Sequence, residues 1–324
     1  MSTVTAESNT MQGLVKYHGM RDPDLRIPYH DSISVNTTCF SSKNTVSFQD
    51  GKSAVFVEGE KNADAERRVD PLLRKLCGKS FEELRMRIDG WNTAGIDGKG
   101  LGFSSSAGAA VALACHRALV GVDPDYKELS KVARLFAASA SRSLVGGFSR
   151  LHVGSGDEDT YAEQFADGTD LDLRMVIVPL PSSVRTEEAH REVLTSPFFN
   201  ARIDSARKRC DEMERAIRGG DFRTMAELTE QDTLELHALT MTGTNRMLIL
   251  SADSINIITK VKELRSNSIE AYFSLQTGPS VFINTTEEDV GKVRRAISKM
   301  GYKTFVSGVG RKARIVPNPK SRHA

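Results

Sequence analysis

Gly100-Leu101-Gly102-Phe103-Ser104-Ser105-Ser106-Ala107-Gly108-Ala109-Ala110-Val111-Ala112-Leu113-Ala114 joins a glycine-broken loop to an unbroken run of small helix formers. Glycine permits the close or left-handed backbone that an anion-binding loop needs. A helix starting near Ser105 would aim unpaired N–H groups and the positive end of its dipole at a phosphate. Ser104, Ser105 and Ser106 add three hydroxyl donors at the same place. The same residues also describe a Gly/Ser loop capping an alanine-rich core helix, so the choice rests on the rest of the chain.

A chain of 324 residues holds one large domain or two of moderate size. Its 44 basic and 42 acidic residues leave a net charge of +2, which argues against a general polyanion binder of the nucleic-acid kind and makes any basic patch local. No run of 18 or more apolar residues occurs, and Met1 to Thr10 has neither the basic nor the apolar region of a signal peptide, so a cytoplasmic location with no membrane partner is expected. Cys39, Cys77, Cys115 and Cys210 are widely spaced and suggest neither a zinc site nor a disulfide framework.

Outward from the glycine loop, a strand, polar loop and strand are predicted across Lys16 to Val35, a strand over Ser53 to Glu58, an amphipathic helix over Ala65 to Leu76 and a strand over Leu84 to Ile88. Asp123-Pro124 reads as a helix N-cap and first position, with the helix continuing to Phe136. Gly146-Gly147 is a turn before a strand over Phe148 to Val153, and Met175 to Leu180 is a near-continuous apolar strand closed by Pro181. A composition shift there places the boundary between an N-terminal half, 1–183, and a C-terminal half, 184–324. The second half is expected to carry an antiparallel helical pair broken at Gly219-Gly220, a helix over Ser251 to Leu264 and strands flanking Gln276-Thr277-Gly278-Pro279-Ser280. A helix over Glu287 to Met300, a strand over Tyr302 to Val306 and a solvated basic tail with Arg311, Lys312, Arg314, Lys320 and Arg322 should follow.

Polar loops rich in Ser, Gly, Lys and Arg point to an anionic small molecule, phosphate first. The histidines show no metal-ligand spacing, there is no Gly-x-Ser-x-Gly elbow, and the glycine loop lacks the Lys-Ser/Thr ending of a Walker P-loop. Arg142, beside Ser139, Ser141 and Ser143, reads equally as a surface cation complementing a helix dipole or as an anion ligand.

Taken together, the segments carry a resemblance. Lys16-Tyr17-His18-Gly19-Met20-Arg21-Asp22 with Ser32-Ile33-Ser34-Val35 resembles the Lys-Tyr-Trp-Gly-Lys-Arg-Asp and Ser-Ser-Ile-Ser-Val signature of the diphosphomevalonate decarboxylases, members of the GHMP superfamily. Gly102 to Ala107 is similar to that family's Gly-Leu-Ala-Ser-Ser-Ala. Ser139-Ala140-Ser141-Arg142-Ser143-Leu144-Val145-Gly146-Gly147 matches its Ser-Ala-Cys-Arg-Ser-Leu-x-Gly-Gly. The likeness spans almost the whole chain in order.

It implies an α+β, GHMP-kinase-like fold of two halves around a deep cleft, a homodimer, and a phosphorylated mevalonate-derived substrate. It also implies Arg142 and Lys16 as the catalytic cations, with Tyr17, His18, Arg67 or Arg68, Ser105, Ser106, Ser139 and Gln276 as substrate contacts. In ATP-dependent members an aspartate in Asp-Ala-Gly-Pro-Asn acts on the 3-hydroxyl while ATP phosphorylates it. The matching position here is Gln276, which cannot accept a proton at neutral pH, while the family's lysine and tryptophan are Met20 and His18. Losing such a base costs on the order of 10² to 10⁴ in rate. The departure favours ATP-independent decarboxylation of mevalonate 3,5-bisphosphate to isopentenyl phosphate, with no cofactor and no metal-ligating residues singled out. An ATP- and Mg-dependent decarboxylase or mevalonate 3-kinase with a relocated base remains the alternative within the family, and a non-catalytic phosphometabolite-binding protein the alternative outside it.

Overall fold

The computed structural model describes residues 3–49, 52–93, 96 and 98–317. In the first half, strands β1 (Val4–Val15), β2 (Met20–Asp22), β3 (Ile27–Pro28), β4 (Ser32–Phe48), β5 (Ala54–Val57) and β6 (Glu60–Lys61) precede helix α1 (Ala63–Cys77) and strand β7 (Met86–Asn92). Helices α2 (Phe103–Val120), α3 (Tyr126–Phe136) and α4 (Ala140–Val145) follow, then strands β8 (Phe148–His152) and β9 (Tyr161–Ala166). The remainder is β10 (Arg174–Val178), α5 (Thr186–Glu192), α6 (Phe199–Arg218), α7 (Phe222–Thr242), α8 (Ala252–Ser266), β11 (Ala271–Leu275), β12 (Val281–Thr285), α9 (Val290–Lys299), β13 (Phe305–Ser307) and β14 (Arg314–Val316).

Two mixed α+β layers result. One sheet runs β14-β1-β4-β7-β5-β6, with β8 and β9 continuing from β4; the other runs β11-β12-β10-β13. One face of the first sheet buries Val4, Ala6, Val46 and Ile88 against α1 to α4, where α2 contributes the unbroken run Ala109 to Cys115. Alanines and Gly108 let that helix lie close: a Cβ on Gly108 would sit 2.4 Å from Phe136. In the second sheet, alternate residues of β10 face opposite ways. Val176 and Val178 join α8 and α9, whereas Met175 and Ile177 join α6, α7 and the Leu14, Ile33 and Val35 side of the first sheet. That two-sided burial explains the near-continuous apolar run.

Several expectations shift. β10, inside the half expected to end at 183, pairs with β12 and β13 of the second sheet; its apolar residues suit either sheet, so composition could not place it. Helix α3 starts from Asp125, whose side chain accepts from the Lys127 and Glu128 N–H groups; Asp123, expected as the cap, pairs instead with Arg117 at 2.7 Å. β1, β9 and most of β4 were not expected, because Ser8, Thr10, Gln12, Asn36 and Thr37 are polar yet buried. The tail expected to be solvated returns as β14 on β1; Lys320 and Arg322 lie outside the described residues.

That return fixes the Gly146-Gly147 turn. Gly147 N–H donates to Gly310 O at 3.0 Å and Ala313 N–H to Leu144 O at 2.9 Å. Gly146 has φ +75°, and a Cβ there would lie 2.2 Å from the Lys312 backbone nitrogen. Strain and overlap with backbone add, so Gly146→Ala should destabilise the fold by about 3 kcal/mol or more, read from the midpoint of urea unfolding.

Candidate active site

The end of β1 carries Lys16, Tyr17 and His18 into the seam between the two layers. Lys16 is 5 % exposed. Its Nζ lies 3.4 Å from Asp232 Oδ2 and 3.1 Å from Thr233 Oγ1 on α7, and its backbone N–H donates to the same Asp232 oxygen at 3.0 Å. Asp232 Oδ1 faces Arg202 at 2.5 Å and Arg209 at 3.3 Å, both on α6, and Arg202 also donates to Lys16 O at 2.8 Å. Burial alone would raise the Asp232 pKa, but Arg202, Lys16 and Arg209 outweigh it and hold the carboxyl below its usual range. Burial pushes Lys16 down to about 8; Asp232 opposes the push and the two arginines reinforce it.

His18 Nε2 sits 2.6 Å from Thr277 Oγ1, and His190 from α5 accepts from Gly19 N–H at 3.0 Å while stacking on Tyr17. Burial drives His18 well below its ordinary value and His190 to about 4, so both rings are neutral at physiological pH.

Arg142 on α4 is 2 % exposed, with its guanidinium 5.4 Å from the centre of the Tyr17 ring. Its Nε and Nη1 have no hydrogen-bond partner among the described residues, and burial lowers its pKa to about 10. It therefore stays charged near neutrality, a planar donor without an acceptor, inside the protein. A buried cation in that condition is strongly unfavourable unless an anion meets it. Ser139 precedes α4 and accepts from Ser105 Oγ at 2.5 Å, which links this arginine's helix to the first turn of α2. That turn begins at Gly102, with φ 85° and no side-chain hydrogen bond capping the helix end.

Gln276 stands between the layers. Its Nε2 donates to Met11 O at 3.0 Å and Gly100 O at 3.1 Å, and its Oε1 accepts from Gly13 N–H at 3.1 Å. One donor and two acceptors around it fix the amide's orientation. An aspartate could accept from Gly13 but would set an oxygen against two carbonyls. Gly278 approaches the glycine loop so closely that a Cβ there would meet Lys99 carbonyl atoms at 2.6 Å.

Other expected contacts lie elsewhere. Ser106 is fully buried and bonded to Ser42 Oγ at 2.7 Å, so its hydroxyl faces the core and not the loop. Arg67 is exposed and pairs with Asp64, whereas Arg68 reaches Ser104 Oγ at 3.2 Å and Glu187 at 2.5 Å. Arg68 is thus the one of the two beside the glycine loop. Asp232, Arg202, Arg209 and His190 were missed from sequence. Seven-residue spacing of the arginines and three-residue spacing of Asp232 and Glu235 marked facing stripes on two helices, a signal that periodicity could have found.

Two family models match: the diphosphomevalonate decarboxylase-like N-terminal domain over residues 8–162, and the mevalonate 5-diphosphate decarboxylase C-terminal domain over 182–313. The chain is 39% identical over 319 residues to the phosphomevalonate decarboxylase of Haloferax volcanii, covering 96% of this chain and 97% of that one. The chain belongs to the diphosphomevalonate decarboxylase family. It is a decarboxylase, with the GHMP-kinase-like fold. Mevalonate diphosphate decarboxylase from Staphylococcus aureus superposes with a TM-score of 0.88 at 27% identity, covering 97% of this chain and 98% of that one. A further structure of the fold, 22% identical with a TM-score of 0.88 and covering 98% and 100%, holds MVAPP, AMPPCP and magnesium.

The Lys16 environment gives a signed pH prediction. Its folded pKa, about 8, lies below the ordinary 10.5. Between those values the unfolded chain holds a proton that the folded one has lost, so stability climbs with pH across that window. Lys16→Met should remove this increment, leaving a smaller stability gain from the low to the high end of the window than wild type in guanidinium unfolding.

Proposed function

We propose that this family member decarboxylates mevalonate 3,5-bisphosphate without ATP, yielding isopentenyl phosphate, carbon dioxide and phosphate. Decarboxylation of a phosphorylated mevalonate is the chemistry that the family supports. The finer reading is carried by one observation: at the place of the family's aspartate, both polar atoms of the Gln276 side-chain amide are engaged with Met11, Gly100 and Gly13. A substrate already phosphorylated on its 3-oxygen requires no base there. The carbon–oxygen bond breaks with its electron pair going to the departing phosphate. The bond to the carboxylate carbon then supplies the alkene's electrons as carbon dioxide leaves, and no proton is transferred.

The remaining task is to stabilise charge growing on the phosphate. Arg142 brings unpaired N–H donors, Lys16 a second cation, and Gly102 to Ser105 the open end of α2. Because the donors are already fixed, they need no reorganisation as the bond breaks. The carboxylate must be held loosely, since tight pairing would oppose the outward flow of its electrons. Tyr17 and Ser139 line the same region; burial raises the Tyr17 pKa, with Arg142 and Ser139 opposing, so the phenol stays neutral. The protein's expected setting as a cytoplasmic homodimer acting on a soluble metabolite accompanies this reading.

Purified protein incubated with the 3,5-bisphosphate in ATP-free buffer should release carbon dioxide and phosphate in equal amounts. Turnover only with ATP and a 3-hydroxyl substrate would overturn the reading. Arg142→Ala should lower kcat by about 10² to 10³ or more. Nε and Nη1 of Arg142 have no hydrogen-bond partner among the described residues, so its loss should cost stability only through packing against Tyr17 and leave a folded protein in thermal unfolding; near-wild-type turnover would remove it from the site.

A further inference from the structure

His237 lies on α7, one helical turn beyond Thr233, the residue that accepts from Lys16. It is 3 % exposed, and neither ring nitrogen has a hydrogen-bond partner among the described residues. Burial, reinforced by Lys16, lowers its pKa to about 4, so at neutral pH the ring carries one N–H and one lone pair, both unused. The neighbouring imidazoles differ. His190 Nδ1 accepts from Gly19, and His18 Nε2 is bonded to Thr277, leaving only its Nδ1 without a partner. Thr233, one turn before His237 on α7, bonds Lys16, and His18 follows Lys16 by two residues, so the idle nitrogens lie along the same junction of β1 with α7.

An imidazole buried with both nitrogens unsatisfied is unfavourable in the empty protein, since each group keeps its desolvation penalty without a bond in return. A structural role would have given it partners, as it gave them to Asp232. We propose that His237 is a substrate-binding residue, its neutral ring donating to a phosphate-monoester oxygen of the substrate at the Lys16 side of the site. A neutral ring suits this position. It can donate to the anion through N–H and accept from a monoprotonated phosphate, without adding another cation beside Lys16, Arg202 and Arg209. The inference rests on the substrate being a phosphorylated mevalonate, but not on how its 3-oxygen is phosphorylated.

Binding and stability separate a ligand-facing histidine from a structural one. The probe is inorganic phosphate, the departing group that the proposed function sets beside Lys16, measured by calorimetry on the full-length protein with isopentenyl phosphate present, and thermal unfolding of the empty protein alongside. His237→Leu should weaken binding about tenfold, the loss of roughly one hydrogen bond to a charged group, while leaving the empty protein at least as stable as wild type. His237→Gln, which retains a donor and an acceptor, should recover part of the affinity and also serves if the leucine variant does not fold. Wild-type affinity in His237→Leu, or in His237→Gln a loss of stability with affinity unchanged, overturns the proposal while sparing the reading of the substrate. Failure of the wild-type protein to bind phosphate overturns this proposal, whereas the reading of the substrate falls only if the 3,5-bisphosphate is not turned over without ATP.

Discussion

Three hydrogen bonds from one amide hold the seam where the two layers meet. Gln276, at the turn between β11 and β12, donates to Met11 O on β1 and Gly100 O in the glycine loop, and accepts from Gly13. It thereby sets the approach of Gly278 to Lys99 and Gly100, and with it the position of the loop that opens α2. A group that must donate twice and accept once cannot be a carboxylate. What looks in sequence like a missing base is, in three dimensions, a different kind of part with a full set of partners.

Around that clasp the buried polar groups fall into two populations. Asp232 is saturated by Lys16, Arg202 and Arg209, a network that joins β1 to α6 and α7. Removing one member of such a network leaves uncompensated charge in the interior, so its first consequence is architectural. Arg142 and His237 are as deeply buried but keep idle donors. The fold tolerates their desolvation without hydrogen-bond compensation among the described residues, and under the proposed function the donors of Arg142 are the ones that would meet a departing phosphate. Lys16 belongs to both populations: its ammonium is partnered, yet burial leaves its pKa near 8, within reach of a change in its surroundings.

Much of this was legible in the chain. The Gly100 to Ala114 stretch does form a glycine-opened helix, the helical pair lies on either side of Gly219-Gly220, and the Lys16 to His18 segment lies at the seam with Gln276 and Arg142 nearby. Failures concentrate where polar residues are buried. β1 and the long β4 satisfy Thr10, Thr37, Ser42 and Asn44 through side-chain hydrogen bonds across the sheet and to α2, so alternation of apolar residues never appears in the sequence. The serine triplet divides for the same reason: helical rotation turns Ser106 toward Ser42 and leaves Ser105 to meet Ser139. Nor could the sequence show that Gln276 is a clasp, because all three partners lie more than 170 residues away.

The claim that Gln276 is built into the seam, and that the chemistry there runs without a carboxylate base, is met most directly by the variant Gln276→Asp. Turnover of the 3,5-bisphosphate without ATP, and of a 3-hydroxyl substrate with ATP, would be measured on the same preparation. The account predicts a fall of about tenfold or more in the ATP-free reaction, as two donors are lost and a carboxylate faces two carbonyls, with no ATP-dependent turnover gained. Undiminished ATP-free turnover, or the appearance of ATP-dependent decarboxylation in this single variant, would contradict it.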